Sequence, residues 1–137
     1  MQELKISHDD KYLIGAVTYS KDIMKFGNKI QVDGIHAILI WDINSGQIIK
    51  TLTSKSIINL SSEVTMAHSS IISDIAISSD SSLLVSCGYD NAIRIWNLNS
   101  NELIKEITNL SQSPEKVIFT KDKKNIIYLK FLDLSKI

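Results

Sequence analysis

The chain has 137 residues, of which 44% are hydrophobic and 22% charged, ordinary values for a globular protein that exclude a chain too polar to bury a core. Fifteen Lys and Arg against 15 Asp and Glu leave a formal net charge of zero, so no large basic field favours nucleic acid or an anionic membrane. The single cysteine, Cys87, excludes an internal disulfide, and no apolar run approaches the roughly 18 residues of a membrane-spanning helix.

In chain order, alternation of apolar and polar residues predicts strands near 3–7 and 12–17, joined through the turn Ser7-His8-Asp9-Asp10. Asp9 and Asp10 belong to that turn rather than to an acid/base dyad. Residues 18–36, TYSKDIMKFGNKIQVDGIH, then interrupt the pattern. Gly27-Asn28 and Asp33-Gly34 are good turn pairs, so the stretch reads as an extended hairpin; the alternative is a binding loop that docks Ile23, Met24 and Phe26 on a partner. Strands near 37–42 and 47–53 follow, connected by Asn44-Ser45-Gly46. Residues 54–67 alternate poorly and read as a surface excursion with one short added strand.

From His68 the pattern starts again, with strands predicted near 73–78, 83–87, 92–97 and 102–108. Leu4–Val17 aligns with Ile75–Gly88, and Ala37–Thr53 aligns with Ala92–Thr108, so one supersecondary unit occurs twice. A third copy, Lys116–Leu129, aligns with the first two strands, and no tryptophan follows it. The chain therefore divides into a degenerate unit at 1–53 with its insertion at 18–36, a connecting insertion at 54–67, a complete unit at 68–108 and a partial one at 109–137.

The best-preserved copy, HSSIISDIAISSDSSLLVSCGYDNAIRIWN from His68 to Asn97, resembles one blade of a WD40 β-propeller. Ser79, Ser81 and Asn97 stand where the family often has Pro, Gly and Asp. The resemblance implies an all-β fold of about two and a half four-stranded antiparallel blades. It also implies a structural tetrad, His68, Ser86, Asp90 and Trp96, joined by buried hydrogen bonds. Burying any one such group without a partner costs about 1–3 kcal/mol, so they are useful only as a set. In the first copy Gly15 replaces the Ser and Ile35 the Asp, and the chain starts too late to supply the His, so apolar packing must hold that blade.

Ser86, His68 and Asp90 are also the residue types of a Ser-His-Asp triad, but the repeat already accounts for their spacing. No Gly-rich phosphate loop, GxSxG or HExxH occurs, and three scattered histidines make no zinc site; no catalytic residue, cofactor or metal is expected. Arg94 is the only arginine, a bias read as a trait of the coding genome without functional weight. What the resemblance implies instead is a non-catalytic scaffold that binds protein partners, with no nucleic acid or membrane, through the exposed positions Ile71, Ser73 and Tyr89. Two alternatives are a truncated gene product without independent function and a substrate-receptor subunit of a cullin-type ubiquitin ligase. Asn44 and Asn99 stand where such receptors often carry an Arg, which disfavours the latter. A propeller closes with typically about four to eight blades, so a fragment of a longer ring, or self-association through exposed blade faces, is expected. The N-terminus MQELKISHDD has no apolar signal segment, and an intracellular, cytoplasmic location is the corresponding expectation.

Overall fold

The computed structural model describes residues 3–59, 64–121 and 126–130. Twelve β-strands occupy them, in four antiparallel sheets, and no helix among the described residues is long and apolar enough to cross a membrane. Strands β1 (Glu3–Ile6), β2 (Tyr12–Lys25), β3 (Asn28–Asp42) and β4 (Ile48–Leu52) pair in sequence order as the first blade. A small hairpin follows, β5 (Ser54–Asn59) with β6 (Val64–Met66). The second blade is β7 (Ile72–Ile77), β8 (Leu83–Gly88), β9 (Ala92–Asn97) and β10 (Glu102–Ile107), again paired in sequence order. Finally β11 (Pro114–Phe119) pairs with β12 (Ile126–Lys130). The sequence FLDLSKI at 131–137, which by alignment with the repeat either begins a third strand of the partial copy or stays unpaired, lies outside the described residues.

The two blades repeat each other's turns atom for atom. Between β7 and β8, Ser78 Oγ donates to Asp80 Oδ1 at 2.8 Å and accepts from Leu83 N–H at 3.0 Å, with Ser81 at φ +62°. Between β1 and β2, Ser7 Oγ donates to Asp9 Oδ1 at 2.6 Å and accepts from Tyr12 N–H at 3.0 Å, with Asp10 at φ +60°. The carboxylate of each turn thus stands in for a missing backbone partner, which is what Asp does best in such turns. The β3–β4 and β9–β10 turns match likewise: Gly46 N–H donates to Asp42 O and Asn101 N–H to Asn97 O, both at 2.8 Å. Both residues take positive φ, +72° and +64°, the conformation Gly and Asn tolerate best.

Packing runs from blade to blade. Ile14, Ala16, Ile38, Ile40 and Leu52 of the first blade bury against Ile72, Ile75, Leu84 and Trp96 of the second. The opposite face of the second blade, through Val85, Cys87 and Ile93, buries Val117 of β11, with Phe119 and Ile126 partly covered. Asp74 links the same two sheets, accepting from Val117 N–H at 3.0 Å.

The insertion at 18–36 continues β2 and β3 as a long hairpin arm rather than a separate loop. Its reversal is the two-residue turn Phe26-Gly27, both at positive φ, closed by the Lys25–Asn28 pair. Asp33-Gly34 is not a second reversal: the two residues oppose Ser20 alone, a β-bulge with Gly34 at φ +67°. Ile23, Val32 and Ile35 of the arm form a second small core with Met66 of β6. Here the expectation of one added strand in 54–67 fails, because the segment pairs with itself as β5 and β6.

Candidate functional site

Three strands and one entering loop meet at the second blade's polar centre. Ser86 on β8 lies opposite Arg94 on β9, which lies opposite Glu106 on β10, so all three side chains share one face with Trp96, two residues along. His68 enters from the segment before β7, and Asp90 comes from the β8–β9 turn. That turn is tight: a Cβ on Gly88 would stand 2.9 Å from Ile71 O and 3.0 Å from His68 Nδ1, so only glycine fits.

The hydrogen bonds run in one direction. Trp96 Nε1–H can only donate, and it does so to Ser86 Oγ at 3.0 Å. The Ser86 hydroxyl then donates to His68 Nε2 at 2.7 Å, which leaves the imidazole proton on Nδ1, 2.9 Å from Asp90 Oδ1. Asp90 Oδ2 accepts from Ser69 N–H at 3.0 Å and from Arg94 Nη1 at 2.9 Å. Arg94 continues to Glu106 Oε1, with Nε and Nη2 both at 2.8 Å. His68, Ser86 and Trp96 are fully buried and Arg94 is 4% exposed.

Burial sets the protonation of this chain. It lowers the His68 pKa below 6.5, outweighing the hydrogen bond and charge of Asp90, so the imidazole stays neutral as the donor order requires. For Asp90 burial acts upward, but the His68 hydrogen bond and charge, with Arg94 and the Ser69 amide, outweigh it and hold the carboxyl well below the usual range. His36, whose carbonyl accepts from Ala67 N–H at 2.8 Å, is also lowered, mainly by burial.

Sequence reasoning places His68, Ser86, Asp90 and Trp96 together, and these four converge as described. Arg94 and Glu106 were missed. The reading of Arg94 as a coding bias without weight is corrected by its burial between two carboxylates. The signal lay in the comparison of the two copies: Ser86, Asp90, Arg94 and Glu106 become Gly15, Ile35, Leu39 and Thr51 together. In the first blade the Trp41 ring fills the vacated space, 2.9 Å from where a Cβ of Gly15 would be. Ile35 is fully buried in the arm's apolar core, so packing replaces the polar chain there.

The arrangement has the order of a catalytic triad, Asp90–His68–Ser86, without its access. Ser86 Oγ accepts the indole N–H and no part of the residue meets solvent. A nucleophile needs room for a reacting carbonyl about 3 Å away. Among the described residues no three His, Cys, Asp or Glu side chains converge as a metal site. Cys87 is buried, which pushes its thiol up to about 11 although Ser73 hydrogen-bonds it.

Of the positions expected at the surface, Ile71 is 40% and Tyr89 53% exposed, tied together by a Tyr89 N–H to Ile71 O bond of 2.9 Å. Tyr89 borders a shallow polar groove with Asn91, Gln112, Ser113 and Glu115. Ser73 departs from expectation. It is half-buried, and its hydroxyl is committed to Pro114 O at 2.7 Å, because β11 packs over that edge of β7.

Comparison with known proteins agrees with this geometry. The family model of the WD domain, G-beta repeat, matches residues 60–97, the segment that carries the tetrad. A bromodomain and WD repeat-containing protein of Dictyostelium discoideum is 39% identical over 67 residues, 49% of this chain and 2% of that protein. Among solved structures, the Cps50 (Swd1) β-propeller domain of Myceliophteria thermophila superposes with TM-score 0.67 at 13% identity, over 94% of this chain and 32% of that one. The RRP9 WD40 repeats superpose with TM-score 0.63 at 19% identity, over 91% and 31%. The chain thus spans about a third of the solved structures it matches and a small part of the curated relative. Tandem four-stranded blades, the buried Trp-Ser-His-Asp chain and these matches together support a WD40 β-propeller fragment, with the repeat of that family carried by residues 60–97.

Proposed function

We propose that the chain is a non-catalytic protein-interaction module that works as part of a larger propeller or assembly. One observation carries the reading. In the second blade the cross-strand row Ile77, Leu84, Trp96 and Leu103 is covered by the first blade, and Leu84 and Trp96 are fully buried. The equivalent row in the first blade, Ile6, Leu13, Trp41 and Ile48, lies open, with Ile6 56% and Ile48 54% exposed. Fully burying one such side chain contributes about 1.5–3 kcal/mol, so a further blade covering this row gains substantially. The occupant is a four-stranded blade, supplied by more of the same polypeptide or by another chain.

The partner surface in this reading is the end of the blade that presents Tyr89 and Ile71. An aromatic with a polar tip anchors well at an interface, and the adjoining groove offers polar groups for its rim. The sealed Ser86–His68–Asp90 chain supports a structural rather than a catalytic role.

Light scattering on the isolated chain tests the first part. Self-association or partial unfolding is expected, reduced when further blades are fused before Glu3; a stable monomer whose Trp41 remains solvent-accessible to quenchers would overturn it. Tyr89→Ala tests the second part, with binding to a protein partner lost and the unfolding midpoint unchanged.

A further inference from the structure

We infer that the β2–β3 arm is a docking element, and that Phe26 at its tip inserts into an apolar pocket bordered by carboxylates on a protein partner. This goes beyond the Tyr89 surface.

Phe26 is 93% exposed, more than any other large apolar residue among those described. Single exposed apolar residues are common and by themselves mean little. This one also holds φ +51°, at the first central position of a two-residue hairpin turn where Asn is strongly preferred. A bulky ring at positive φ is disfavoured by its own backbone, and among the described residues none compensates by covering it. Met24, 63% exposed, stands on the same strand end. The position is therefore unfavourable on two independent counts, and a contact outside the chain accounts for both.

The arm presents this tip rigidly. Strand β2 runs eight residues past Val17, the counterpart of Gly88 where the second blade turns, which is about 25 Å of extension. Ile23, Val32 and Ile35 brace it against Met66, so the tip is held in place before it binds. Charge selects the class of partner. Between Ser20 and Gln31 there are three lysines, Lys21, Lys25 and Lys29, and one aspartate, Asp22, which pairs with Lys29 at 3.2 Å. The local excess is positive and complements a carboxylate rim, whereas the whole chain's zero net charge gives no field toward an anionic membrane.

The test uses the whole protein with Phe26→Asn, together with a photo-crosslinking benzoylphenylalanine at position 26. Phe26→Asn should raise the unfolding midpoint by several degrees, because the turn gains its preferred residue. The crosslink should form to a protein segment lining a pocket that contains Asp or Glu, and that purified partner should bind Phe26→Asn at least about tenfold more weakly. A midpoint that falls in Phe26→Asn would show the ring to be structural and overturn the proposal. So would crosslinks confined to this chain, or cosedimentation with vesicles of equal parts phosphatidylcholine and phosphatidylserine that Phe26→Asn abolishes.

Discussion

Arg94 donates to Asp90 across a 2.9 Å ion pair in which both side chains are 5% exposed, extending the second blade's polar chain beyond the indole, hydroxyl, imidazole and carboxylate. A buried pair is net stabilising only when each charge has further partners, and here each does: Glu106 for Arg94, and His68 with the Ser69 amide for Asp90.

Removing either partner should therefore cost more than removing a neutral hydrogen bond. Arg94→Met and Asp90→Ala are each expected to destabilise the second blade by about 3 kcal/mol, since a buried charge is left without its counter-ion. The double variant should lose less than the sum, because no charge is then stranded. Denaturant unfolding of the four proteins in a cycle measures this, and strict additivity would deny the pair any coupling.

Acid should unfold the blade in two stages. The folded His68 resists a proton that the unfolded imidazole accepts below about pH 6.5, so stability is full above that value and falls as the pH drops beneath it. Asp90 keeps its charge in the fold while the unfolded carboxyl protonates near 3.8, so its contribution is present above that pH and is lost on further acidification. Midpoint against pH should be flat above 7, decline below about 6.5 and steepen below about 4. His68→Gln should flatten the first decline more than His36→Gln, whose lowered imidazole is far less buried.

Two glycines should respond to a side chain for different reasons. Gly88→Ala drives a methyl against the Ile71 carbonyl and the His68 ring, and overpacking of this kind costs about 1–3 kcal/mol. Gly15→Ser restores the hydroxyl residue of the repeat but sets it against the rigid Trp41 ring. It should also destabilise, because no His-Asp pair is present there to receive the hydroxyl. A gain in stability for Gly15→Ser would refute the account of the first blade.

Cys87 should be inert in the folded protein. Burial pushes its thiol up to about 11, which leaves roughly two orders of magnitude less thiolate near pH 8 than a free cysteine has. Labelling by a disulfide reagent should wait for unfolding and follow its rate. Stoichiometric reaction in the dead time without denaturant would place the thiol at the surface instead.

The family resemblance grouped His68, Ser86, Asp90 and Trp96; the sequence by itself determined the repeat and the strand positions of the second blade, within a residue or two. These are local or periodic properties: alternation sets which side chains share a face, turn residues set where strands end, and a second copy confirms both. Only the tertiary structure decided what lies between strands and between blades. Arg94 and Glu106 join the polar chain because β8, β9 and β10 align them in one cross-strand row, a matter of register that single-strand patterns do not contain. Ser73 leaves the surface because β11 packs over it. Phe26-Gly27, one residue before the expected Gly27-Asn28 pair, reverses the arm, and Asp33-Gly34 forms a bulge opposite Ser20 that keeps the strands paired past Gly34. Each of these outcomes depends on the register or packing of another strand, fixed by burial and hydrogen bonding across the sheets.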